Sequence, residues 1–423
     1  MGPMTSGWSV PPESRPVSPP AQDELQIAIR ATGLCGSDLH YYFQGRNGSF
    51  IVRQPLVLGH ESIGEITQLG PSSASSSSPP FKVGDRVALE VGLPCQTCLF
   101  CRQDRYNICR SMRFRSSASV FPHLDGTLMD ITNHPARMCH PLPANVSDLQ
   151  GALLEPLAVC LHAINRSRPL TLEDVALAKS IAAATTEATN QSDVFQTKCA
   201  PGETAALIFG AGSIGLLLAS ALAATQPFTT IVISDKNPAR LKIAETLPFP
   251  NIKTAPYQPN PPSMLSDPPK SSAEEIAEEQ NRDAIALAST LRAVFNLPQG
   301  FARVFECTGS PLCARTAIHV STVGGAVIQI GMGGPSLPTI PLSQAALTEV
   351  DLIGVLRYDG KCYPKAIELM ASKAFEGVAE KIVTHVVELG EEDGKRGFNL
   401  AGAGKDEDGN PVVKVVVVSK RET

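Results

Sequence analysis

The segment TAALIFGAGSIGLLLASALAATQPFTTIVISD, residues 204–235, decides the fold. It opens with AALIF (205–209), an apolar run of a length suited to a fully buried strand, and Gly210-Ala211-Gly212-Ser213-Ile214-Gly215 follows at once. A lone GxGxxG is a weak signal, but here an apolar strand precedes it and an apolar helix follows, as in a dinucleotide-binding turn. Gly210 allows the tight turn, Gly212 lets the backbone approach a pyrophosphate, and Gly215 lets helix and strand pack closely. The helix N-terminus then offers its N–H groups to the anion. Asp235 ends the next strand (230–234), where a carboxylate bonds both hydroxyls of an adenosine ribose and repels a 2′-phosphate. NAD is therefore expected over NADP, a preference blunted by Arg240, whose guanidinium is of the kind that accepts a phosphate. Residues 205–224 are also about as long and apolar as a membrane span. Their glycines nevertheless fall in the phosphate pattern, and a doubly covered parallel sheet needs such apolar strands and helices. The expected class is α/β, a Rossmann doubly wound parallel sheet, with a second domain beside it.

The rest of the chain bounds the problem. With 423 residues, two domains are expected. Net charge is −5 with no block of Lys or Arg, so nothing invites nucleic acid or an anionic membrane surface. Residues 1–21 are rich in Pro and Ser without an apolar core, which is not a signal peptide, and 420–423 carry no targeting signal. Eleven cysteines without a secretory signal read as thiols and metal ligands of a cytoplasmic protein, not as disulfides.

Upstream, Cys35 stands in the turn Gly33-Leu34-Cys35-Gly36-Ser37-Asp38, and Gly59-His60-Glu61 follows later. Cys, His and Glu together suit Zn²⁺, and three protein ligands with the fourth position left open mark a catalytic zinc. Taken singly, a buried Cys and a satisfied loop His explain both residues. The metal reading gains because both stand beside glycines and a cofactor fingerprint lies downstream. Cys95-x₂-Cys98-x₂-Cys101-x₇-Cys109 is the stronger pattern: four thiolates on one short loop close a tetrahedron around a structural zinc. Disulfides at such spacings are strained. Glu155-Pro156 places an acid in apolar company, either a helix-turn surface residue or a functional one.

Short strands and turns flank these motifs: LQIAIR at 25–30, IGEI at 63–66 and a turn into a strand over 83–90, so the first domain reads as irregular and largely β. Ser147 with Gln150 forms a capping box before an apolar helical face over 152–164. Helix-like segments over 173–189 and 271–295, strands at 304–308 and 326–330, and a β-branched run at 412–419 complete the reading.

A Cys-Gly-Ser-Asp turn, a Gly-His-Glu, a four-Cys lobe, a Glu-Pro and a GAGxIG, in this order, resemble the zinc-containing medium-chain dehydrogenase/reductases. The polyol branch (sorbitol, xylitol and arabinitol dehydrogenases) is the nearest, on CGSDLHYY at 35–42, GHE at 59–61, LEPL at 154–157 and VDLIGVLRY at 350–358. The resemblance runs over residues 23–418. It implies a GroES-like catalytic domain over 1–165 with a zinc lobe at 90–112, a Rossmann domain over 166–342, and a returning part of the catalytic domain over 343–423. It implies that Cys35 and His60 ligate the catalytic zinc, with Glu61 a third or labile ligand. Glu155 is similar to the carboxylate that holds the metal-bound water or itself approaches the metal. Tyr41, Arg357 and Tyr358 match positions that line the polyol site, and Ser37 and His40 match a relay that carries the alcohol proton to solvent. Ile214, Asp235, Arg240, Ile330, Gly331, Met332, Val355 and Leu356 fall where the family contacts NAD. A dimer or tetramer is the family's habit.

The departures lie at the Pro-rich lead, where a first strand is missing, and at insertions near 72–80, 172–199 and 256–279. They leave open the same chemistry on a different alcohol in a specialised pathway. A non-catalytic NAD-binding protein is the third reading, disfavoured by the intact Cys35, His60, Glu61 and Glu155.

Overall fold

The structure, a computed structural model, describes residues 15–71, 81–168, 173, 176, 204–259, 272–333 and 339–419. The Pro-rich lead over 1–14, the Ser-rich insertion at 72–80, nearly all of 172–199, the Pro-rich stretch at 260–271 and the last four residues lie outside these. The chain divides into two compact units, Cys160–Leu356 and Met1–Val159 with Arg357–Thr423.

In the first of these units Ala205–Phe209 is a strand buried along its whole length, at the centre of a six-stranded sheet. Across the sheet run Ile252–Pro256, Thr230–Asp235, Ala205–Phe209, Phe301–Glu306, Ser321–Gln329 and Asp351–Gly354. Every pairing is parallel. Numbered by sequence this is the order 3-2-1-4-5-6, which reverses between Ala205–Phe209 and Phe301–Glu306 and creates a ligand crevice there at the strands' carboxyl ends. The helix Ser213–Thr225 is apolar nearly all round because it packs into the unit's interior. A Cβ on Gly215 would stand 1.8 Å from the carbonyl oxygen of Gly210, so only glycine lets this helix approach its strand. The apolar stretch at 205–224 is thus strand, turn and helix. Among the described residues no helix is long and apolar enough to cross a membrane.

The expected boundaries at 165/166 and 342/343 differ from this division. Asp351–Gly354 pairs in parallel with Ser321–Gln329, so the sheet continues past 343 and the chain leaves the unit only after Leu356. At the other end, the helix Leu154–Arg166 carries the change of unit inside it, after Val159.

The other unit is built on Glu24–Gly33, whose inner residues alternate between buried and half-buried as a one-sided strand does. Its sheet runs Val383–Glu388, Lys414–Val418, Glu24–Gly33, Glu61–Leu69, Arg86–Leu89, Cys139–Pro141, with Ile131–Pro135 also paired to Glu24–Gly33. Leu25, Ile27, Ile29, Ile66, Val87 and Leu89 fill one core beneath it. The Ser147 and Gln150 capping box forms as read, but over a short helix, Asp148–Gly151, that precedes the longer Leu154–Arg166.

Candidate active site

Glu24–Gly33 delivers the chain to Cys35, and its antiparallel partner starts at Glu61, directly opposite Gly33. That pairing brings donor atoms of Cys35, His60 and Glu61 within 4.8 Å of one another. Gly33 makes the room: a Cβ there would stand 2.1 Å from Glu61 Oε2. The helix Gly36–Gln44 places Asp38 beneath the group, where one oxygen accepts from Cys35 N (3.1 Å) and the other from Gly59 N (3.0 Å) and Ser116 Oγ (2.6 Å). The second oxygen also lies 3.2 Å from His60 Nδ1. The Asp38 charge thus stands beside Nδ1 of the imidazole, and Nε2 faces Ser37 Oγ at 3.5 Å. Burial disfavours the imidazolium, but the charges of Asp38 and Cys35 outweigh it and hold the His60 pKa well above its usual value.

Sequence reasoning missed the cation of this site. Lys414 heads the last strand, 2 % exposed, and its ammonium donates to both oxygens of Glu61 (2.9 and 2.7 Å) and to Leu34 O (3.1 Å). Burial would lower the Lys414 pKa, yet Glu61 and Cys35 hold it raised. The Lys414 ammonium thus faces Glu61 and the Cys35 thiol, and the Cys, His and Glu donors beside it are of the kind that would hold a zinc ion.

Around the triad stand the groups expected to meet substrate. Glu155 opens the helix Leu154–Arg166; burial, and then the Glu61 charge, against the pull of His60, Lys414 and Arg357, push its pKa up to about 7. Glu155 is not among the donors that cluster within 4.8 Å. Arg357 sits at φ 52°, a strained backbone for a non-glycine residue, with its guanidinium carbon 3.8 Å above the Phe114 ring. Phe114 also meets the His60 ring edge-on at 5.6 Å and is a second residue the sequence did not point to. Tyr358 is buried, and its hydroxyl has no hydrogen-bond partner among the described residues. The Tyr41 hydroxyl accepts from Ala118 N (3.1 Å), keeping its own proton to donate. Ser37 and His40 lie three residues apart on one helix face, both half-buried.

The four-cysteine loop forms a second cluster. Cys95 and Cys101 Sγ are 3.9 Å apart, Cys98 and Cys101 3.5 Å, and Cys95 and Cys109 3.5 Å. Four thiolates held about 2.3 Å from one zinc stand about 3.8 Å from each other, so the spacing fits a closed tetrahedral site. Donors from Thr97 and from Cys98 N lower the Cys95 pKa to about 6, whereas burial and the neighbouring thiols push Cys101 up to about 12.

In the parallel-sheet unit the expected cofactor residues other than Arg240 fall at or just after the carboxyl ends of strands. The glycine turn follows Ala205–Phe209 and Asp235 ends Thr230–Asp235. Ile330, Gly331 and Met332 follow Ser321–Gln329, while Val355 and Leu356 follow Asp351–Gly354. Asp235 Oδ2 accepts from Ala211 N (2.6 Å) and Oδ1 from Asn237 N (2.7 Å), which fixes the carboxylate against the glycine turn. Arg240 lies half-buried on the next helix, Pro238–Glu245. Met332 and Leu356 are exposed apolar residues at this edge.

Residues 21–144 match the family described as alcohol dehydrogenase GroES-like domain, and residues 212–372 match zinc-binding dehydrogenase. A curated relative, D-xylulose reductase A of Aspergillus oryzae, is 31 % identical over 93 % of this chain and 90 % of its own length. The chain is a zinc-containing medium-chain dehydrogenase. It belongs with the polyol branch of that family. Two solved structures share the dehydrogenase's fold. L-idonate 5-dehydrogenase of Escherichia coli has TM-score 0.67 and 24 % identity, over 94 % of this chain and 91 % of that one. 2R,3R-butanediol dehydrogenase of Bacillus subtilis has TM-score 0.69 and 23 % identity, over 96 % of each. In this dehydrogenase the residues expected to hold the metal and the polyol all belong to one compact unit, and those expected to hold the dinucleotide to the other.

Proposed function

We propose that this dehydrogenase transfers a hydride between NAD⁺ and the carbinol carbon of a polyol, a secondary alcohol of the sorbitol, xylitol or arabinitol kind. The observation that carries the substrate class is the buried Tyr358 hydroxyl, without a partner among the described residues and adjoining Arg357, which the Phe114 ring holds in place. A simple apolar alcohol would leave that phenol and the guanidinium unsatisfied, whereas a chain of hydroxyls satisfies both. The xylulose-reductase relative supports the same class.

Zinc bound at Cys35, His60 and Glu61 would supply the Lewis acidity that makes an alcohol hydroxyl acidic near neutral pH. The chain's own groups do the rest. Ser37, beside His60 Nε2, accepts the alcohol proton as its own hydroxyl proton leaves toward His40, one turn along the helix, and from there to solvent. Glu155 holds or releases a proton near neutrality. Tyr41, Arg357 and Tyr358 orient the remaining hydroxyls, and Phe114 keeps water off one side.

NAD is favoured over NADP because Asp235 presents a fixed carboxylate at the end of its strand, where a 2′-phosphate would meet its charge. A homo-oligomer is supported by Asp351–Gly354, the outer strand of its sheet, on which Leu352 is exposed. A cytoplasmic site is supported by the metal-donor thiols, which a reducing compartment preserves. The test is reduction of NAD⁺ and NADP⁺ by zinc-loaded protein over a panel of polyols and simple secondary alcohols. Turnover of simple alcohols in preference to every polyol would overturn the substrate assignment.

A further inference from the structure

Glu306 is fully buried at the carboxyl end of Phe301–Glu306 and takes no part in the chemistry above. Its strand borders Ala205–Phe209 at the point where the sheet order reverses. The carboxylate accepts from Thr308 N (2.8 Å), the Thr308 hydroxyl, Gly309 N (2.8 Å) and Gln329 Nε2 (2.6 Å). Its main-chain oxygen accepts from Ile330 N and Gly331 N, both at 2.9 Å. Gln329 Nε2 in turn donates to Gly331 O (2.7 Å). One residue thus ties the loop after its own strand, 307–310, to the loop after the next, 330–333. The two loops touch backbone to backbone, since a Cβ on Gly331 would stand 2.2 Å from Gly309 N and 2.8 Å from Glu306 Oε2.

A buried carboxylate with this many donors is costly to leave unpaired, and a loop tie between apolar side chains would hold the backbone less firmly in place. The position gives the tie a purpose. Asp235 lies one strand to one side of the glycine turn, and the two tied loops lie one and two strands to the other. With strands about 4.8 Å apart, the two tied loops lie about two and three strand spacings from the adenosine end, so an extended dinucleotide anchored at Asp235 and the glycine turn carries its nicotinamide end toward those loops.

We propose that Glu306 is a positioning residue for the nicotinamide half of the dinucleotide: it touches no cofactor atom, but its carboxylate locks loops 307–310 and 330–333 in the form that receives that half. The inference rests on the dinucleotide reading above. Glu306→Gln puts an amide among donors and loosens the tie, and Gln329→Leu removes one strut while leaving the carboxylate. Titration calorimetry with ADP-ribose and with NADH separates the two halves. Both variants should keep the wild-type affinity for ADP-ribose, while NADH binding weakens by about tenfold for Glu306→Gln, what one hydrogen bond to a charged group is worth, and by less for Gln329→Leu. Equal weakening for both ligands, or no change for either ligand in the two variants, would overturn the proposal. Should Glu306→Gln fail to fold, the Gln329→Leu comparison decides alone. Wild-type protein that binds neither ligand would instead overturn the dinucleotide reading itself.

Discussion

Replacing Lys414 by Met tests the charge logic of the metal site. Lys414 and Glu61 are 2 % and 1 % exposed, and the ammonium reaches both carboxylate oxygens, at 2.9 and 2.7 Å. Met matches the length of the lysine stem, so little packing is lost, but the Glu61 charge stays buried without its counter-ion. Breaking a buried pair from one side costs about 3–5 kcal/mol. At roughly 2–4 °C per kcal/mol for a unit of this size, the melting temperature of chelator-treated protein should fall by roughly 10 °C. Two further results identify the cause. Saturating zinc, a cation for the orphaned carboxylate, should stabilise Lys414→Met more than it stabilises wild type. The double variant Glu61→Gln/Lys414→Met should recover much of the loss, giving a coupling energy of about 2 kcal/mol or more in a double-mutant cycle. A single-variant loss under about 1 kcal/mol, or strict additivity in the double, would refute the reasoning.

Three other perturbations read separate parts of the structure. Gly33→Ala puts a methyl 2.1 Å from Glu61 Oε2, so thermal melts should show a loss of about 1–3 kcal/mol, with weaker zinc binding in a chelator competition. His134 is fully buried, accepts at Nδ1 from Arg115 Nε (3.1 Å) and donates from Nε2 to Glu90 O (3.1 Å), and burial followed by the Arg115 charge holds its pKa well below 6.5. Below that pH the unfolded chain takes a proton that the folded chain refuses, so its contribution to stability is intact above about pH 6.5 and falls by up to about 1.4 kcal/mol per pH unit on acidification. Urea midpoints from pH 5 to 8 should show this slope and His134→Gln should flatten it; an unchanged slope contradicts the assignment. Cys101→Ser should lower bound zinc from about two ions per chain to about one, measured by atomic absorption, with the loss confined to the four-cysteine lobe.

What was legible in the sequence was local. The glycine turn is readable because backbone sterics force glycine at Gly215, and the four-cysteine lobe because its ligands lie within one loop. Cys35 and His60 were found through the turns that carry them. Lys414 was not, since it reaches Glu61 through a strand pairing that joins the two ends of the chain: Gly33 lies opposite both Glu61 and Val416. A trace was present, a lone lysine at the head of the run KVVVV, where one charge among β-branched residues calls for a buried partner. Phe114 carries no motif at all; it matters because Arg357 packs on it from far along the chain. The expected domain return at 343 differs from the structure because nothing in DLIG says which sheet it joins; Asp351–Gly354 pairs in parallel with Ser321–Gln329.

The proposed polyol oxidation in this dehydrogenase depends on a metal held by Cys35, His60 and Glu61. The most direct measurement is NAD⁺ reduction by zinc-replete protein with xylitol, sorbitol and arabinitol, run beside Cys35→Ser at matched folding and with zinc content determined for both. Wild type should turn over at least one polyol, and the variant should lose turnover together with the open-site zinc alone. Silence on every polyol with zinc bound, or undiminished turnover in Cys35→Ser, would contradict that assignment.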